Sequence, residues 1–224
     1  MTNAPTVVTP PAAATDGRVA RGERTRHAIL DSAVRLASVE GLDGLSLGRL
    51  ADSLGVSKSG LFAHWPSKES LQLATIEHAR TQIVDHVVRP ALRQPRGVRR
   101  LWAVHDNRIA FYADDVLPGG CFFCAIEFEL DSRPGPLRDR VAEVSGEWLV
   151  LLRRLATEAV AAGDLRPDTV PDQLAFEVDA LGLAAVYQSR LFEPAHVYRT
   201  ARVAVLDRLR ALCTDPSLLP EEIA

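Results

Sequence analysis

Lysine is almost missing from this chain: of its 26 basic residues only Lys58 and Lys68 are lysines, and the rest are arginines. Cysteine is scarce as well. Cys121, Cys124 and Cys213 are an odd number of thiols in 224 residues and too few for a disulfide framework, so a reducing compartment, the cytoplasm, is expected. No uncharged apolar run approaches the roughly 18–20 residues of a membrane span, so no membrane partner is expected. Residues 1–15 hold no Lys or Arg and are broken by Pro5, Pro10 and Pro11, unlike a secretory signal. Gly-rich phosphate loops, nucleophile elbows and HExxH are all lacking, so the sequence gives catalysis no support and implies no cofactor. Period-two alternation between turn signals is also missing, which argues against any sheet.

What is present is a core-forming composition. Hydrophobic residues make up 47 % and charged residues 25 %, enough to bury a real interior and to exclude a disordered or disulfide-stapled class. The net charge of −3 is unevenly spread. Residues 1–68 carry eight Lys/Arg against six Asp/Glu, and the remainder carries −5. A mildly basic head on an acidic body points weakly to an anionic partner at the N-terminal end.

Residues 1–20, rich in Pro, Ala and Thr, read as a disordered arm. From Arg21 onward the 3.6-residue period dominates. Ile29, Ala33, Leu36 and Ala37 form one face of a first helix that Gly41 stops. Ser46 is a good N-cap for a short helix ended by Gly55, and Ser57 caps a third that Pro66 stops. A long helix follows from Ser67 to about Val88, bounded by Pro90. Further helices are expected at about 97–116, 122–131, 137–162, 172–192 and 195–213. The fold class is therefore all-α, with about nine helices. The divisions are a helix-turn-helix domain at 21–66, a larger helical domain at 67–213 and a tail at 214–224.

The spacing of the second and third helices is informative. Ala51 supplies the small side chain that a steep helix crossing tolerates, Gly55 the tight turn, and Val56 and Leu61 the seat of the third helix. That is the helix-turn-helix pattern, whose second member enters the DNA major groove. Its outward residues are Ser57, Lys58, Ser59, Gly60, Ala63 and His64, with Phe62 partly exposed. Small hydroxyl residues let the backbone approach DNA, Lys58 offers a mobile charge, and Lys68 lies by the free N–H groups of the next helix. Ser46 and Arg49, at the start of the second helix, complete the candidate DNA contacts. Both lysines of the chain fall within one stretch of eleven residues, 58–68.

The run Leu50-Ala51-Asp52-Ser53-Leu54-Gly55-Val56-Ser57-Lys58-Ser59-Gly60-Leu61-Phe62-Ala63-His64-Trp65-Pro66-Ser67-Lys68-Glu69, within about 24–71, resembles the DNA-binding domain of TetR-type transcriptional regulators. The resemblance implies a homodimer that binds a palindromic operator on double-stranded DNA. It also implies, usually as a repressor, release of that operator when a small molecule enters the C-terminal domain. Two positions depart from the family pattern. Phe62 stands where tyrosine is common, and Gly48, with Arg49 beside it, stands where a base-reading arginine is common.

The same resemblance assigns dimerisation to the last two long helices. Their small and apolar residues Ala175, Val178, Gly182, Ala185, Ala201, Ala204 and Val205 permit close helix approach, although an intramolecular core face has the same periodicity. For an apolar or aromatic effector, Trp102, His105, Ile109 and Tyr112 share one helical face, and Phe122, Phe123, Trp148 and Tyr187 are candidates to complete a cavity. His105 is either a satisfied core histidine or the polar anchor of that pocket. Cys121-Phe122-Phe123-Cys124 keeps two alternatives open, a thiol-based redox-sensing regulator or an all-α thiol oxidoreductase that does not bind DNA. A zinc site built from the two thiols with His105 or Glu127 lacks completing ligands, so no metal is expected.

Overall fold

The computed structural model describes residues 13–55 and 57–223, with side chains from residue 22 onward. Among these residues there is no strand, only one isolated bridge between Leu165 and Cys213. The first helix, α1 (Ala13–Glu40), begins inside the stretch read as a disordered arm; alanines and arginine are strong helix formers and carry it back to Ala13. The rest of that arm, residues 1–12, and Val56 lie outside the described residues.

Three caps set the N-terminal geometry. Ser46 Oγ accepts the Arg49 N–H at 3.1 Å and starts α2 (Leu47–Leu54). Gly55 closes α2 in the left-handed region at φ 64°, which turns the chain sharply into α3 (Lys58–His64). Ser57 Oγ accepts the Gly60 N–H at 3.1 Å, and Ser67 and Ser70 form a reciprocal capping box at the start of α4 (Lys68–Ile83). Ile29, Ala33, Val34 and Ala37 of α1 bury against Leu47, Leu50 and Ala51 of α2 and Leu61 of α3. The short helices α2 and α3, marginal on their own, are thereby fixed to α1 by one apolar core.

Pro90 does not end the fourth helix as the sequence reading expects. A π turn at Val84–Val88 widens the coil, the Arg89 N–H reaches the Val84 carbonyl, and the helix continues as α5 (Arg89–Leu92). The wider turn relieves the clash that a proline ring makes with the preceding turn. Counting this continuous rod as one, the described residues form nine α-helices.

In the larger domain, α6 (Val98–Ala113) is the central element, packed on α8 (Pro136–Ala161), α9 (Pro171–Ser189) and α10 (Pro194–Leu212). Leu101, Val104 and Ile109 are fully enclosed. The short α7 (Phe122–Leu130) lies between α8 and α1, so it touches both domains. The tail beyond 213 is packed on the body: Leu219 is buried and Arg99 Nε donates to the Leu218 carbonyl at 3.1 Å.

Candidate DNA-binding face and effector cavity

Helix α3 presents Ser57, Lys58, Ser59, Gly60, Phe62 and His64 to the outside, all of them exposed, with Phe62 at 51 %. Ser57 Oγ and Ser59 Oγ lie 3.2 Å apart. The Lys58 side chain crosses α2 at Gly48, where a β-carbon would stand 3.4 Å from its Nζ. The base of the helix is anchored by Trp65, buried beneath the Arg26 guanidinium at 5.3 Å from the ring centre.

Two of the expected DNA contacts already have protein partners. Arg49 grips Glu40 with both terminal nitrogens, Nη2 donating to Oε1 at 2.8 Å, and this hydrogen bond holds the Glu40 carboxyl below its ordinary range. Lys68 Nζ donates to the Asp43 carbonyl at 2.8 Å. Both side chains are exposed, and both brace the α1–α2 connection; Ser46 is likewise occupied as a cap.

Behind this domain lies a cavity of about 580 Å³ between α4, the π turn, α6, α7, α8 and α9. Ile83, Val84, Val88, Val141, Val144 and Leu183 line it with Phe123, Tyr112 and Trp148. The polar groups converge on Arg108. Its Nε donates to the Tyr112 hydroxyl at 2.6 Å and its Nη1 to Asp179 Oδ1 at 2.9 Å, and the guanidinium sits 5.2 Å from the Trp148 ring centre. Asp179 Oδ1 also accepts the Trp148 indole N–H at 2.9 Å. Burial opposes the charge on Arg108, but Tyr112, Asp179 and the two nearby thiols outweigh it and the guanidinium is more firmly protonated than usual. Burial raises the Glu127 carboxyl, although Ser145 donates a hydrogen bond to it.

Only part of the expected pocket set lies here. Tyr112, Phe123 and Trp148 line the cavity, whereas Trp102, His105 and Ile109 are buried in the core and do not line it. The reason is visible at His105, whose Nε2 donates to the Ala201 carbonyl at 3.1 Å. Burial first, and then the charges of Arg108 and Arg202, push its pKa down to about 3, so it is a neutral core histidine. That orientation also removes it as a zinc ligand for the thiols. Tyr187 is 65 % exposed on the outer face of α9. As cavity residues the sequence reading missed Arg108, Ser145 and Asp179, and it considered Glu127 only as a zinc ligand. The spacing of Arg108 before Tyr112, one helical turn, carried the signal for the first.

The small-residue set expected at the dimer contact is packed within the protomer. Ala175, Val178, Gly182, Ala185, Ala201 and Val205 are buried within the chain itself, and Ala204 is half-buried. Gly182 is small because Arg108 lies on it: a β-carbon there would stand 2.4 Å from Arg108 Nη1. The apolar groups left exposed on the same helices are Phe176, at 66 %, and Tyr187 on α9 and Val203 on α10.

Helix α7 connects the two sites. Phe123, Cys124 and Glu127 form cavity wall. On the other side Glu129 accepts the Leu42 N–H at 2.7 Å and the Asp43 N–H at 2.8 Å. Gly41 has φ 74°, and a β-carbon on it would collide with the Glu129 carboxylate at 2.2 Å. Gln72 of α4 donates to the Leu42 carbonyl at 2.8 Å, and Gly119 N–H to Ser38 Oγ at 3.1 Å. No helix among the described residues is long and apolar enough to cross a membrane.

A three-helix unit that exposes its third helix, fastened to a helical body with an internal cavity, defines a helix-turn-helix regulatory protein that binds DNA. Residues 29–75 match the family described as bacterial regulatory proteins, tetR family, and residues 97–205 match the tetracyclin repressor-like C-terminal domain. Together these segments make up more than two thirds of the chain, which belongs to the TetR family of transcriptional regulators. A TetR regulator from Chloroflexus aurantiacus is similar in structure, at 27 % identity and TM-score 0.78 over 87 % of this chain and 98 % of that one. AibR, in complex with isovaleryl coenzyme A and operator DNA, shares the fold at 21 % identity and TM-score 0.64 over 83 % of this chain and 96 % of that one. A segment of 61 residues is 30 % identical to the negative transcriptional regulator IcaR of the icaADBC biofilm operon in Staphylococcus epidermidis. That segment is 27 % of this chain and spans only 33 % of the length of IcaR.

Proposed function

We propose that the chain acts as a homodimeric repressor that releases a palindromic operator when an apolar or aromatic molecule fills the cavity between α4, α6, α7, α8 and α9. The observation that carries this reading is the double role of α7. Glu127 and Glu129 are two residues apart, roughly 200° around a helix, so one faces the cavity while the other holds the α1–α2 connection. A ligand that pushes on Phe123 or Glu127 therefore loads the joint that sets the angle of α3. The π turn supports the same reading, since Val84 and Val88 line the cavity on the helix that begins beside the DNA-binding unit.

The face Ser57, Lys58, Ser59, Gly60, Phe62 and His64 would enter the major groove, with Ser46, Arg49 and Lys68 beside the phosphates. Arg49 and Lys68 would exchange their present partners for phosphate oxygens. Two copies would join through Phe176, Tyr187 and Val203, the apolar groups that the protomer leaves uncovered on α9 and α10. AibR, with a thioester ligand and operator DNA, and IcaR, a negative regulator, are consistent with both halves of the proposal.

The test is a gel-shift with the DNA upstream of the chain's own gene, repeated with apolar candidate ligands. A ligand that weakens DNA binding about 100-fold needs roughly 2.7 kcal/mol of coupling, and by linkage DNA must weaken ligand binding by the same factor. Ligand that binds equally well with and without DNA contradicts the reading.

A further inference from the structure

Both thiols of Cys121-Phe122-Phe123-Cys124 open onto the cavity, and neither is in a disulfide. Cys121 is the N-cap of α7 and Cys124 the third residue of that helix, two positions whose side chains meet across the first turn. Both line the same cavity, and each acts on the ionisation of the other. The Tyr112 hydroxyl and the Arg108 guanidinium that donates to it line the same cavity as Cys121. Each of these groups favours thiolate over thiol.

The contact with Cys124 contributes most, and with Arg108 and Tyr112 it brings the Cys121 pKa down to about 7 against the effect of burial. Cys124 moves the other way, well above the ordinary range, because of that same contact and its own burial. Cys213, away from the cavity, is pushed up to about 11 by burial and by Asp164 and Asp215. Cys121 is thereby the more readily ionised thiol of the pair.

Resting on the reading of this cavity as the effector site, we propose that it takes an apolar α,β-unsaturated carbonyl compound and that Cys121 bonds to it covalently. The Cys121 sulfur attacks the β-carbon and a C–S bond forms. The electron pair of the C=C bond shifts toward the carbonyl oxygen, giving an enolate that the Arg108 charge and the Tyr112 hydroxyl stabilise. The α-carbon then takes up a proton from solvent, replacing the one that Cys121 released. The net change is addition of S–H across C=C; nothing is oxidised and no co-reactant is needed. The aromatic walls Phe123, Tyr112 and Trp148 suit a conjugated apolar molecule, and a cavity of about 580 Å³ is large enough for one. The adduct would sit at the first turn of the helix whose Glu129 holds the α1–α2 connection.

The experiment treats the full-length protein with benzylideneacetone at pH 7 and follows intact mass and tryptic peptides. One added probe mass on Cys121 is expected, formed about 100-fold faster than at Cys213. The rate should rise with pH to a midpoint near 7, and Cys124→Ala, which removes the neighbouring donor, should move that midpoint upward. Equal labelling of Cys121 and Cys213 overturns the proposal. So does loss of two hydrogens in place of added mass, which marks a Cys121–Cys124 disulfide. Benzylacetone has the same shape without the electrophilic carbon, and its reversible binding tests the effector reading separately. If it binds and releases DNA while Cys121 stays unlabelled by the enone, the covalent step fails and the cavity reading stands.

Discussion

Glu129 accepts the backbone N–H of Leu42 at 2.7 Å across 87 residues of sequence, and it takes the neighbouring Asp43 N–H at 2.8 Å with its other oxygen. A single carboxylate on α7 thereby satisfies two amides just past the end of α1, beyond Gly41, whose own N–H is taken by the Ala37 carbonyl. The DNA-binding unit is joined to the body at a defined point.

Glu129→Ala should strand both amides. The Asp43 amide is exposed and can turn to water, but Leu42 is buried, and leaving its donor unpaired costs about 1–3 kcal/mol, by which denaturant unfolding of the variant should shift. Glu129→Gln keeps an acceptor for one amide and should lose less. Both variants should respond to ligand less than the wild type, measured as the ratio of operator affinities with and without it.

Lys58 should contribute to DNA binding as a point charge. Lys58→Ala should lower the dependence of binding on salt by about one unit of log–log slope while the melting temperature stays put, because the side chain is exposed. Lys68→Ala should do more, since Lys68 also holds the Asp43 carbonyl. An unchanged slope in the Lys58 variant would remove that residue from the interface.

Dimerisation should depend on the exposed face and not on the small residues. Phe176→Arg or Tyr187→Arg should give a folded monomer on sizing chromatography, with helical content retained by circular dichroism. Ala201→Arg should instead unfold the chain, because Ala201 is buried against α6 and its carbonyl accepts from His105. A dimer that survives both surface substitutions lies elsewhere.

His105 predicts a pH effect. Its folded pKa of about 3 lies below the ordinary value of 6.5, so the unfolded chain binds a proton there that the folded chain refuses. Its contribution is absent above pH 6.5. As pH falls from 6.5 toward 3 it costs stability, with a slope of at most about 1.4 kcal/mol per pH unit. His105→Gln, which retains a donor for the Ala201 carbonyl, should flatten the acid limb of the stability curve. An equally steep curve in that variant would assign the loss to the carboxylates alone.

Much of the N-terminal unit is legible in sequence because local chemistry decides it. Ser46, Ser57 and Ser67 act as caps, and Gly55 turns the chain, each within four residues of its partner. The cavity is less legible because periodicity does not separate core from cavity wall. Trp102, His105 and Ile109 follow the helical period as well as Arg108 and Tyr112 do, and only the packing of α10 decides which side is filled. The missing side chain at Gly182 marks a close approach, and the group that approaches is Arg108 of the same chain. Pro90 misled for a different reason: the π turn that lets the helix pass it leaves no sequence signature.

The central claim is that filling the cavity acts on the DNA-binding unit through α7, and amide hydrogen exchange tests it most directly. With saturating benzylacetone, the account predicts slower exchange along α6 and α8 and faster exchange at Leu42 and Asp43, whose amides Glu129 now holds. Protection of α6 and α8 with unchanged exchange at Leu42 and Asp43 would contradict it.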